Sequence, residues 1–72
     1  MPTLIFRNEQ LKALREGLGL SQEEFGRRLG VTKQAVSQWE TGQTEPTIES
    51  LLKIVNATGA KLDSFFAEGA GR

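Results

Sequence analysis

Between Ser21 and Gly42 the sequence sets its glycines, capping residues and bulky apolar residues at intervals that leave few folds open. Ser21 is followed three residues later by Glu24, the spacing at which two side chains satisfy each other's backbone amides at a helix start. The segment it opens, QEEFGRRLG, turns Phe25 and Leu29 to one face. Gly30 stops it in the left-handed conformation that glycine enters without Cβ strain. Thr32 caps the next segment, KQAVSQWET, whose Val36 and Trp39 point inward and which Gly42 ends. Two short helices joined by so tight a turn cross steeply, and a small residue is needed where the second lies over the first. Gly26 supplies it. The packed face then needs bulk at Phe25, Leu29, Val31, Val36 and Trp39, and has it. A lone Gly-x-x-x-Gly means little, but this many constrained positions in one register are hard to obtain by chance.

The remaining punctuation yields three more helical segments. Asn8 precedes EQLKALREGLGL, in which Leu11, Leu14 and Leu18 mark one apolar face. Thr47, directly after Pro46, caps IESLLKIVNAT, with Ile48, Leu51, Leu52 and Val55 as a wide apolar stripe. After Gly59 a short last segment, LDSFF, offers Leu62, Phe65 and Phe66. Strand alternation is found at most in 3–6, a stretch too short to decide. The sequence therefore predicts an all-α fold of five short helices around one core. An apolar arm is expected over 1–7, the domain over 8–67 and a flexible, small-residue tail over 68–72.

A chain of 72 residues has room for one core. It contains no cysteine and no histidine, which removes disulfides, zinc fingers, thiol nucleophiles and imidazole bases together. With no tyrosine either, catalysis would rest on isolated Ser, Lys or carboxylate groups without orienting partners, so no enzyme, metal or cofactor is expected. No apolar run approaches the ~20 residues of a membrane span, the start lacks signal-peptide features, and a cytoplasmic location is expected. Nine basic residues balance nine acidic ones, for zero formal charge. Nucleic-acid binders usually carry a basic excess, so any such role here rests on local arrangement.

The segments LKALREGLGLSQEEFGRRLGVTKQAVSQWETG and EPTIESLLKIVNATGAKLDSFF resemble the helix-turn-helix regulators of the Cro and phage-repressor (XRE-like) type. The resemblance runs from Gln10 to Phe66. It implies a lambda-repressor-like, bacterial or phage-encoded DNA-binding domain that works as a homodimer on a palindromic operator in double-stranded DNA. Its third helix would enter the major groove while the second crosses the backbone. By position, the resemblance assigns base reading to Lys33, Gln34, Ser37 and Gln38. The inward Val36 and Trp39 independently turn these four outward. It assigns phosphate contacts to Gln22, Thr32, Thr41, Gln43 and Thr44, and a structural ion pair to Arg15 and Glu40.

Other features temper the match. Gln43 and Thr44 are neutral where relatives often carry lysine or arginine, and Glu45 adds a negative charge beside them. Gly26 stands where alanine is commoner, and Lys61 where a capping serine is frequent. Arg27 and Arg28 follow Glu23 and Glu24 at the spacing of helical ion pairs, and read equally as solvated pairs or phosphate ligands. Trp39 reads as core, not as a stacking platform. Phe65 and Phe66 cannot both turn inward on so short a helix, so with Leu62 they form the candidate dimer surface, to which the leading LIF adds by pairing or packing. Two alternatives stay open. One is an antitoxin or restriction-system controller binding both DNA and a partner protein (a toxin or a second subunit). The other is a protein-interaction module without DNA readout.

Overall fold

The computed structural model describes residues 4–69. The chain runs β1 (Leu4–Phe6), α1 (Asn8–Gly17), α2 (Gln22–Leu29), α3 (Lys33–Thr41), α4 (Ile48–Thr58), one 3-10 turn (Leu62–Phe65) and β2 (Phe66–Glu68). The architecture is mostly helical, with four α-helices instead of five and a small two-stranded sheet that the all-α expectation lacked. β1 and β2 pair antiparallel with Leu4 opposite Glu68, Ile5 opposite Ala67 and Phe6 opposite Phe66. Leu4–Phe6, in the segment expected as an arm, is thus a strand. The outer parts of the expected arm and tail, residues 1–3 and 70–72, lie outside the described residues.

The expected fifth helix is replaced for local reasons. α4 ends at Gly59, whose φ of +77° reverses the chain. Lys61 offers no side-chain cap to the turn after it. The Ser64 hydroxyl and amide both donate to the Lys61 carbonyl, at 2.6 and 3.1 Å, which closes a single tight turn and leaves nothing to propagate. Phe66 then enters the extended region and starts β2.

One core gathers Phe6, Leu11, Phe25, Leu29, Val36, Trp39, Leu51, Ile54 and Phe65. Each such side chain contributes about 1.5–3 kcal/mol on burial. Two expected apolar faces differ in part from the buried ones. On α1, Leu11 is buried and Leu14 packs at the margin, but Leu18 falls just past the helix end and is exposed. On α4 the inward pair is Leu51 and Ile54, while Ile48 and Leu52 face out, Ile48 at 66% exposure. A wide apolar stripe defines a helix well but not which edge of it the core covers.

The sequence places Asn8 just ahead of α1, yet it is the first helical residue. The preceding Arg7 provides no side-chain cap. The Asn8 side-chain Nδ2 instead donates to the Glu40 backbone carbonyl at 2.8 Å, tying the start of α1 to the end of α3.

Candidate nucleic-acid interface

α2 opens on a reciprocal cap. The Glu24 amide donates to the Ser21 hydroxyl at 3.0 Å, and the Ser21 amide donates to the Glu24 carboxylate at 2.9 Å. The Ser21 amide is the main cause that holds the Glu24 carboxyl below its ordinary pKa. At the other end Gly30 takes φ +73°, and the Val31 amide donates back to the Gly26 carbonyl at 2.8 Å. A Cβ on Gly26 would stand 2.8 Å from the Val31 carbonyl oxygen. The turn into α3 therefore rests against the bare backbone of α2, and the missing side chain sets how close the two helices come.

α3 is capped by Thr32, whose hydroxyl oxygen accepts from the Ala35 amide at 3.0 Å. Val36 and Trp39 are buried against α1 and α2. Lys33 and Gln34 are exposed, and Ser37 and Gln38 are half-buried. Among the described residues no hydrogen bond or ion pair engages these four side chains. They form one polar face with its donors and acceptors uncommitted.

The far end of α3 is anchored in the opposite way. Glu40 has a side chain only 2% exposed. Arg15 meets its carboxylate in a fork, with Nε donating to Oε2 at 2.6 Å and Nη2 donating to Oε1 at 3.1 Å. Arg15 Nη1 donates to the Leu20 carbonyl at 2.8 Å. The hydrogen bonds it donates to Glu40 push the Arg15 guanidinium pKa further up, against the opposing effect of burial. Gln22 Nε2 donates to Glu40 Oε1 at 3.0 Å, so α2 joins the same cluster. Together with the Asn8 bond, α3 is held by α1 at two points and by α2 at one. No buried side-chain polar atom among the described residues lacks a partner.

The residues assigned to phosphate contact are not alike. Gln22 is half-buried, with one amide N–H spent on Glu40 and a second left over. The Thr32 oxygen is spent as a cap, while its O–H remains a donor. The Thr41 hydroxyl donates to the Gln38 carbonyl at 3.3 Å, in its own helix. The amides of Gln43 and Thr44 converge on that same carbonyl, at 3.0 and 3.3 Å, which leaves their exposed side chains facing solvent. Arg27 lies 3.9 Å from Glu23, with both side chains 71% exposed, which is a weak, solvated pair.

Of the candidate association surface, Leu62 is exposed and Phe66 is half-buried, edge-on to Phe6 with ring centroids 5.9 Å apart. Phe65 does not belong there. It is 1% exposed, stacked on Phe6 at 6.4 Å. The 3-10 turn and the strand after it send consecutive phenylalanines to different sides, which a continuous helix would not. Among the described residues no group of His, Cys, Asp and Glu could hold a metal ion, and no helix is long and apolar enough to cross a membrane.

Residues 11–65 match the helix-turn-helix family model. The chain is 37% identical over 60 residues to the transcriptional activator BcrR of Enterococcus faecalis, covering 83% of this chain and 29% of that one. It spans 29%, 51% and 23% of three curated relatives, BcrR included. Its fold superposes with a TM-score of 0.78 on the P22 c2 repressor in complex with a synthetic operator, at 34% identity, covering 85% of this chain and 92% of that one. It superposes with a TM-score of 0.75 on the restriction-modification controller C.AhdI of Aeromonas hydrophila, at 29% identity, covering 82% and 89%. With a family match over most of its length, this chain belongs to the helix-turn-helix family of the Cro and phage-repressor (XRE-like) type.

Proposed function

We propose that the chain is a sequence-specific DNA-binding transcription regulator, a repressor, that lays α3 in the major groove. The observation that carries this is the uncommitted polar face of Lys33, Gln34, Ser37 and Gln38 on a helix otherwise fixed at its far end by Glu40. Gln34 and Gln38 suit adenine, whose N7 and N6 a glutamine amide meets bidentately, and Lys33 suits guanine O6 and N7. Gln22, Thr32, Gln43 and Thr44 supply neutral donors to phosphates on either side of the groove. Gln22 uses its second N–H for this, so one amide joins the DNA backbone to the Arg15–Glu40 pair. Thr41 reaches a phosphate only by giving up its bond to Gln38.

One domain covers a half-site, so the functional unit is a homodimer on a palindromic operator, in a bacterial or phage-infected cytoplasm. Leu62 and Phe66 belong to the face that remains available for association. The likeness to a restriction-modification controller favours a second reading, in which the same DNA face serves a controller protein. Selection of bound duplexes from a random pool tests the proposal. An enriched palindrome with half-sites about ten base pairs apart supports it. A pool left unenriched even at low salt removes DNA readout and leaves a protein-interaction module.

A further inference from the structure

We infer that the outer edge of β1 is the seam of a two-fold dimer, with Ile5 on the axis. The hydrogen-bond phase of the sheet fixes which atoms face outward. The Arg7 amide donates to the Phe65 carbonyl at 2.7 Å, one step beyond the Phe6–Phe66 pair. In an antiparallel ladder bonded and non-bonded pairs alternate. Arg7–Phe65 is bonded, so Ile5–Ala67 is bonded too, and the N–H and C=O groups of Leu4 and Phe6 point away from β2.

That edge is complementary to itself. A second copy placed antiparallel puts its Phe6 opposite Leu4 and its Leu4 opposite Phe6. Each of these pairs can exchange two backbone bonds, and Ile5 meets Ile5 of the second copy at a non-bonded position. The arrangement has a two-fold axis by construction. It also completes a four-stranded sheet from a two-stranded one that is marginal alone.

Charge distinguishes this edge from the other. β1 is LIF, with none of the charged residues that usually guard an exposed edge, whereas β2 carries Glu68. Joining copies through β2 would bring two Glu68 carboxylates towards the axis. Joining them through β1 leaves those on the outer strands.

The apolar surface agrees. Leu4 is 66% and Ile5 51% exposed. Leu4 also lines a groove with Ile48, Leu62 and Phe66, whose charged lining, Asp63 and Glu68, is acidic only. Leu4 thus adds to an apolar groove on one face of the sheet, and Ile5, the next residue of the strand, projects from the other, so the edge of β1 is apolar on both sides. In the pairing Leu4 comes to lie beside Phe6 of the second copy, at the flank of an existing core.

This deepens the homodimer of the proposed function, and its test uses no DNA, so a failure of DNA readout is read separately. Sedimentation of the full chain over a range of concentrations should show a monomer–dimer equilibrium. Leu4→Pro removes an outward N–H without touching the inner ladder. It should weaken the dimer about tenfold or more while leaving the thermal midpoint of the monomer in place. Ile5→Cys introduces the only thiol of the chain, at a position where facing strands bring Cα atoms within disulfide range. Under mild oxidation it should form a covalent dimer far faster than Leu18→Cys, a comparably exposed control outside the strands. A parent that stays monomeric throughout overturns the inference. So does a dimer whose Ile5→Cys form crosslinks no faster than the control.

Discussion

Arg15 grips Glu40 with two guanidinium nitrogens, across 25 residues of sequence and on a carboxylate almost closed to solvent. Removing one partner of such a pair leaves a buried charge short of its compensation and costs about 3–5 kcal/mol. Arg15→Met should therefore unfold at far lower denaturant concentration than the parent, since the whole stability of a small domain is about 5–15 kcal/mol. Arg15→Met combined with Glu40→Leu should recover part of the loss, because the second change removes the stranded carboxylate. Chemical denaturation of the three proteins measures both. An Arg15→Met variant as stable as the parent would mean that the pair holds nothing.

Gly26 and the Val31 carbonyl set a second, steric constraint. Alanine in place of Gly26 gains about 1 kcal/mol of helix propensity, but its Cβ at 2.8 Å from a backbone oxygen forces the turn outward. Overpacking of this kind costs about 1–3 kcal/mol, so Gly26→Ala should be neutral to destabilising despite being the better helix former. Because the displaced backbone leads into α3, DNA affinity should fall more than the melting temperature suggests. A Gly26→Ala protein more stable than the parent would show that the turn relaxes freely.

The helix-turn-helix is legible because its information is local. Caps, αL glycines and apolar spacing within Ser21–Gly42 each act within a few residues. What stays hidden is long-range. Nothing near Asn8 says that its side-chain Nδ2 will find the Glu40 carbonyl 32 residues away, and a capping residue at a helix start is the ordinary inference. Gln22 stands out by its place at the start of α2, but its bond to Glu40 has no sequence signal. The strands escape detection because three-residue strands carry almost no periodicity, and because β1 and β2 pair the two ends of the described chain. The misplacement of Phe65 has the same origin. On a helix Phe65 and Phe66 compete for one face, whereas a turn running into a strand gives each its own side.

The cap at Ser21 makes an acid-side prediction. The Glu24 carboxyl is held below its ordinary pKa by the Ser21 amide, so its contribution is present above the unfolded value and is lost as pH falls through the folded one. Glutamine keeps the reciprocal cap without titrating. The fall in melting temperature between neutral pH and pH of about 3 should therefore be smaller in Glu24→Gln than in the parent. An equal fall in both proteins would remove Glu24 from the acid sensitivity. Arg15 makes no contribution to this limb, because its pKa is shifted upward and it stays charged throughout.

Gln34 and Gln22 separate reading from holding. Gln34 is exposed on the uncommitted face of α3, so Gln34→Ala should leave the fold intact, cost about 1–3 kcal/mol on the preferred site and relax preference at one base pair. Gln22 contacts Glu40, so Gln22→Ala should weaken all sequences about equally and also lower the melting temperature. Binding to a panel of single-base operator variants, with melts of both proteins, distinguishes them. Uniform losses from Gln34→Ala would take it off the list of readers.

Charge sets how steeply DNA binding should depend on salt. The α3 face carries a single cation, Lys33, and the loop after it carries none, with Glu45 exposed close by. Affinity drawn from neutral donors at Gln22, Thr32, Gln43 and Thr44 releases few counterions. Each phosphate neutralised by Lys or Arg steepens the dependence of log Kobs on log salt concentration by about 0.9. A dimer neutralising one or two phosphates per copy should thus show a slope of about −2 to −4, against about −10 for a strongly cationic repressor. Lys33→Gln should flatten it further if Lys33 meets a phosphate, and leave it unchanged with altered base preference if it meets guanine. A slope of about −5 to −7 would mean that Arg27 and Arg28 of both copies leave their solvated positions and become phosphate ligands.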